Sequence, residues 1–166
     1  EEVQAVGLML HDLGPNHNLD SPFVTLDRRF EVDGAFAARS FIRGHPDGKR
    51  RDERRVQLVF DAIALHGEPE LALYKEPDVL AVYHGNNLDF SGPGTLGVTE
   101  AEYNAVVAEF PKIMNQTKQV LTGILWYCRN KALSTYDTFL QPFSEMFVPG
   151  YSAVGHRVID SYLSGN

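Results

Sequence analysis

The sequence predicts an all-α domain, and three observations predict it. Apolar residues recur at helical spacing in one segment after another, Gly and Pro punctuate the gaps, and sustained two-residue alternation is absent apart from short pieces such as FVTL. A length of 166 residues suits one core, so residues 1–166 are read as a single domain.

The elements follow in order. Residues 2–11 carry Val3, Val6, Leu8 and Leu10, and Gly14-Pro15 supplies the stop. PNHNLDSPFVTL, residues 15–26, is dense in turn formers and reads as a surface loop. DRRFEVDGAFAARSFI places Phe30, Gly34, Ala38 and Phe41 at helical spacing, and the small residues at 34, 35, 37 and 38 allow close approach to a neighbour. A second loop, GHPDGKRRD, precedes ERRVQLVFDAIALH, which sets Val56, Val59, Phe60 and Ile63 on one face and ends at His66 before Gly67. PDVLAVYHGNNLD opens with Pro77 in a favourable first-turn position, runs to Asp89, and is broken by SGPG. Thr99 and Glu102 have capping-box spacing ahead of EAEYNAVVAEF. Three further helices are expected over 112–130, about 136–147 and about 152–163. Trp126, Tyr127 and the set Tyr136, Phe139, Phe143 and Phe147 read as core or as the face of a homo-oligomer.

Composition narrows the class. The hydrophobic fraction of 43% and charged fraction of 22% are those of a soluble globular protein. A net charge of −7 argues against nucleic acid as a partner. No apolar run is long enough to cross a bilayer, and the opening EEVQAV lacks the pattern of a signal peptide, so no membrane and a cytoplasmic location are expected. The single cysteine, Cys128, excludes an internal disulfide and a Cys-based zinc cluster.

The chemistry concentrates at helix ends. LMLHDLGPNH puts His11 and Asp12 after an apolar run, and Asp89 closes another. Imidazole and carboxylate suit a catalytic divalent metal that keeps an open position for water. Neighbouring residues on a helix diverge by about 100°. A His-Asp pair therefore converges on one ion only near a helix terminus or where both side chains reach inward, and the Gly14-Pro15 stop is consistent with the terminus. Taken alone, such a dipeptide is more often a solvated pair.

The combination is sharper. LMLHDLG, FEVDGA, DAIALH and NNLDFSG, in this order, resemble the HD-domain superfamily of metal-dependent enzymes, and more narrowly its cyanamide hydratase-like branch known from fungi. The resemblance covers about residues 6–115, with 116–166 matching loosely. It implies a helical bundle holding one metal through an upstream His, the doublet His11 and Asp12, and Asp89. No His precedes His11, so the resemblance implies a ligand from a segment ahead of Glu1. Phe30 stands where two-metal members carry a His, which implies one ion: zinc in this branch, with iron or manganese compatible with the same donors.

The resemblance also implies roles. His66 matches the AI..H position and becomes a candidate for proton transfer; the bland alternative is a helix-terminal His on the last carbonyls. Glu31 either bonds around the activated water or is a solvated helix residue. Asn86, one turn before Asp89, either orients a small polar substrate or is a turn former at a fraying helix end, and Phe30 edges the pocket. Asn87 reads as a turn former. His17, His45, His84 and His156 lack such placement, His17 being nearest the doublet and a candidate for the pocket rim. Lys49, Arg50, Arg51, Arg54 and Arg55 read as a solvated helix start or, less simply, a phosphate-greeting patch.

The implied reaction is addition of activated water to a small nitrile such as cyanamide, giving urea, with a small molecule as partner. The competing readings are an HD-type phosphohydrolase drawing on Arg28, Arg29 or the 49–55 cluster, and a non-catalytic metal-binding or small-molecule-binding remnant.

Overall fold

Helical periodicity governs most of the described chain. The computed structural model describes residues 1–15, 17–94, 97–112 and 116–165, without the side chains of Lys49 and Gln116. Among these residues there are nine α-helices, three short 3-10 turns and no strand, so the all-α expectation holds. The chain forms two compact units: Glu1–Gly14 with Glu31–Met114, and Pro15–Phe30 with Asn115–Asn166.

The first unit contains α1 (Glu2–Leu10), α2 (Phe30–Gly44, all but its first residue), α3 (Glu53–Ala64), α4 (Pro69–Ala72), α5 (Pro77–Ser91) and α6 (Glu100–Glu109). Local chemistry sets these boundaries. The Asp52 carboxylate accepts the Arg54 amide at 3.0 Å to start α3, and Pro77 opens α5 where no amide is needed. Gly92, at φ 74°, ends α5 in a conformation that side chains disfavour. The Thr99–Glu102 capping box is present, with the Thr99 amide donating to Glu102 Oε2 at 2.9 Å.

The core of this unit joins Val3, Ala35, Ala38, Ile42, Val56, Val59 and Ile63. A second cluster unites Ala62, Val79 and Val82. Close contacts define the helix register. Arg55 pairs with Glu2, and a Cβ on Gly7 would lie 3.6 Å from the Ala62 Cβ and 2.8 Å from Val82 Cγ2. A Cβ on Gly85 would lie 3.0 Å from Leu8 Cδ2. Residue numbers therefore rise together along α1, α3 and α5, and the three helices run in the same direction. α2 runs against α3, because Arg39 bonds Gln57 and Arg43 pairs with Glu53.

The second unit contains α7 (Gln116–Asn130), α8 (Gln141–Phe147) and α9 (Val158–Ser164). Tyr127, Cys128 and Leu140 are its buried centre, with Phe30, Ile124, Trp126, Phe143 and Val148 packed around them. Tyr151 Oη and Thr135 Oγ1 share a 2.8 Å hydrogen bond that ties the loop after α8 to the turn after α7.

Four details depart from the sequence reading. Phe41 is 60% exposed and Ile42 takes its place, because the buried stripe of α2 runs Glu31, Ala35, Ala38, Ile42 in steps of about one turn. The helix expected over 136–147 starts only at Gln141, since Asp137 adopts φ 55° and ends any preceding helical run. The helix expected from 152 starts at Val158, after Gly155 at φ 90°. The short α4 carries too few residues to show a period and was not expected. Residues 113–115 of the helix expected from 112, and the Lys49 side chain of the basic run, lie outside the described residues.

Candidate functional site

Helix direction gathers the chemistry. Because α1, α3 and α5 run the same way, their C-terminal ends, carrying His11, His66 and Asp89, face one end of the first unit. Antiparallel α2 brings the first-turn acids Glu31 and Asp33 to that end, both buried. Helix C-termini are the negative ends of their dipoles and favour cations, while the α2 N-terminus favours its own acids.

The doublet sits on a break in the helix. After Leu10 the chain tightens into a 3-10 turn over His11–Leu13, and Asp12 leaves helical geometry at φ −96°, ψ 25°. The kink overcomes the angular divergence of adjacent residues: His11 Nε2 and Asp12 Oδ2 are 3.3 Å apart. Gly34 makes room for the turn. A Cβ there would lie 2.8 Å from the Gly14 amide nitrogen and 3.5 Å from the His11 carbonyl oxygen.

His11 and His66 are anchored alike. His11 Nδ1 donates to the Leu8 carbonyl and His66 Nδ1 to the Ile63 carbonyl, each at 2.7 Å. A carbonyl only accepts, so each ring carries its proton on Nδ1 and turns Nε2 elsewhere. The ring centroids are 5.3 Å apart at an interplanar angle of 83°. His66 is 5% exposed, and burial pushes its pKa below the usual histidine value. The Ile63 carbonyl and the charges of Glu31 and Asp12 oppose that push, while His11 adds to it. The net result is an imidazole that is neutral at pH 7 with an electron pair on Nε2. The helix-terminal carbonyl contact and the inward placement thus coexist in one residue.

Asp89 is half-exposed, and its carboxylate pairs with Lys112 Nζ at 3.4 Å. Lys112 also donates to the Asp89 backbone carbonyl and stands over the Tyr103 ring, 5.3 Å from its centroid. Hydrogen bonding to Tyr103, then the proximity of Asp89, raises the Lys112 pKa above its ordinary value. Lys112 carried no signal in the sequence, because its pairing depends on the chain path after α6. Asn86 is partly buried and makes no hydrogen bond to the other described residues. Asn87 donates to the Tyr83 carbonyl at 2.8 Å, a local backbone role.

The remaining candidates divide between the two units. Phe30 belongs to the second unit, its ring stacked on Tyr127 at 5.3 Å. His17 is also in that unit, stacked on Trp126 at 4.4 Å. In the basic run Arg51 and Arg55 both pair with Glu2, at 2.6 Å and 2.9 Å, and tie α1 to α3. His45 accepts the Asp47 amide in its own loop, and His84 rests against Tyr83.

In donor type the residues fit a single divalent ion. His11 Nε2 and Asp12 Oδ2, 3.3 Å apart, are an imidazole nitrogen and a carboxylate oxygen of the kind that such an ion takes. In number the fit is partial: among the described residues no three His, Cys, Asp or Glu side chains stand together around one point. The third carboxylate, on Asp89, is engaged by Lys112. No protein-family model, curated protein or solved structure matches the chain.

Proposed function

We propose that the chain is an HD-type, metal-dependent hydratase acting on a small neutral nitrile such as cyanamide. The observation that carries this reading is the register bringing the His11 and His66 rings to 5.3 Å at the end shared by the Asp89 terminus of α5. In this reading His11, Asp12 and Asp89 hold one ion, zinc by preference and iron or manganese by donor type. When bound, it supplies Lewis acidity that activates water near neutral pH.

The chain's own residues handle the rest. Neutral His66, with Nδ1 tied to the Ile63 carbonyl, presents Nε2 to take a proton from the attacking water and return it to the nitrile nitrogen. Buried Glu31, whose charge acts on His66, stabilises the imidazolium formed between these steps. Asn86, whose amide bonds none of the other described residues, holds a small polar substrate. Lys112 must give up the Asp89 carboxylate for the donor set to close.

The test is metal content together with urea formation from cyanamide by the purified chain. One ion per chain with turnover, and loss of the ion in His11→Ala and Asp89→Ala, supports the proposal. Phosphate release from a nucleotide panel without urea formation transfers the site to the phosphohydrolase reading. A chain extended ahead of Glu1 that still binds no ion and turns over neither substrate is the non-catalytic remnant.

A further inference from the structure

The second unit contains a cleft of about 390 Å³ formed by the end of α7, the turn that follows it and the segment after α8. Its size falls in the range of small-molecule sites, and its lining is unusual for a chain of net charge −7. Among the described residues no carboxylate lines it. The charged group is Arg129, exposed and without an ion-pair partner among the described residues. Opposite in chemistry stands an aromatic wall. Tyr136 stacks on His156 with centroids 4.5 Å apart and planes 5° from parallel, and on Tyr151 at 5.5 Å and 28°. Val148 adds aliphatic surface.

This wall is built rather than incidental. Tyr151 is held by its bond to Thr135, which is itself fully buried, and Thr135 donates to the Ala132 carbonyl at 2.7 Å. The aromatic faces are therefore positioned before any ligand arrives, which lowers the ordering cost of binding. The one thiol in the lining, Cys128, is 1% exposed and held in its neutral form by burial, so the cleft is equipped to bind and not to attack.

We infer that this cleft is a binding site for a small planar aromatic carboxylate, with Arg129 taking the carboxylate and the Tyr136–His156–Tyr151 wall taking the ring. A guanidinium forks onto a carboxylate through two parallel hydrogen bonds, and this charge-assisted pair outweighs the unfavourable dipole of the nearby α7 terminus. Stacked rings extend readily by one more offset ring. The site is independent of the hydratase reading, since every residue named for it lies in the second unit.

The experiment is an NMR titration of the whole chain with benzoate, in parallel with inorganic phosphate and cyclohexanecarboxylate. Benzoate is expected to bind with a Kd of about 0.1–1 mM and to shift the resonances of Arg129, Tyr136 and His156. Arg129→Met, at an exposed position that leaves the fold intact by circular dichroism, should weaken binding about 10-fold or more. Arg129→Lys should fall between the two, because the charge remains and the fork is lost. His66→Ala should leave benzoate binding unchanged. Phosphate or cyclohexanecarboxylate binding as tightly as benzoate would overturn the aromatic assignment. Shifts that are equal in Arg129→Met, or absent up to about 20 mM benzoate, would overturn the site.

Discussion

The two units place polar chemistry by different means. In the first, helix backbones approach closely and side chains meet because of register. Gly7 lies against Val82, Gly34 against the Gly14 backbone and Gly85 against Leu8, and His11, His66 and Glu31 gather at the end these contacts align. In the second, short helices leave more of the work to side chains. Tyr136, Tyr151 and His156 are positioned by ring stacking and by hydroxyls bonded to turns. The lesson is that a site on a bundle end tolerates change in its own side chains but not in the glycines behind them. A site on a turn-rich wall is sensitive at the wall itself.

Four substitutions break or sharpen that contrast, the largest effect first. His66→Ala should leave the first unit folded and slow cyanamide turnover by about 10²-fold, equivalent to about 2.7 kcal/mol of barrier. Steady-state kinetics read this, and unchanged kcat would remove His66 from proton transfer. Gly34→Ala should cost about 1–3 kcal/mol in urea denaturation, since the new methyl meets backbone that cannot swing aside. The same variant should weaken metal uptake, because the His11–Asp12 turn must shift. A denaturation midpoint equal to the parent's would show that the turn has slack.

In the second unit the expected costs are smaller and differ in kind. Tyr151→Phe deletes only the hydroxyl shared with Thr135 and should lose about 0.5–1.5 kcal/mol, loosening the wall without emptying it. Thermal melting of the variant checks this. Gly123→Ala reverses the sign. Nothing lies within 4 Å of a Cβ at that position in α7, so the helix should gain about 0.5–1 kcal/mol. A loss there, set beside a loss at Gly34, would erase the distinction between the units.

Much of the fold was legible because its signals are local. The spacing of Val56, Val59 and Ile63 marked the buried face of α3, Pro77 marked the start of α5, and Thr99 with Glu102 marked a capping box that the structure contains. Where a signal was ambiguous the reading slipped. Phe41 and Ile42 both continue the spacing from Ala38, and only the antiparallel fit of α2 on α3 chooses Ile42 for the interior. Asp137 gave no warning that it would take a left-handed conformation and delay α8. The candidate site was legible in its members and not in its geometry. His11, Asp12 and His66 stood at helix ends in the sequence, whereas the Lys112 pairing with Asp89 spans 23 residues and leaves no trace in either segment.

The sequence by itself determined where α1, α3, α5 and α6 begin and end, and that imidazoles and carboxylates cluster at helix termini, because caps, periodicity and turn formers act over a few residues. Only the tertiary structure decided which termini share an end. That choice belongs to small residues pressed between helices, Gly7 on Val82 and Gly34 on Gly14, whose contacts exist only after the chain has brought distant segments together. The cleft at Arg129 and His156 was invisible for the same reason: its wall is a stack of rings from separate turns, and stacking is a relation between surfaces rather than a property of any one stretch of sequence.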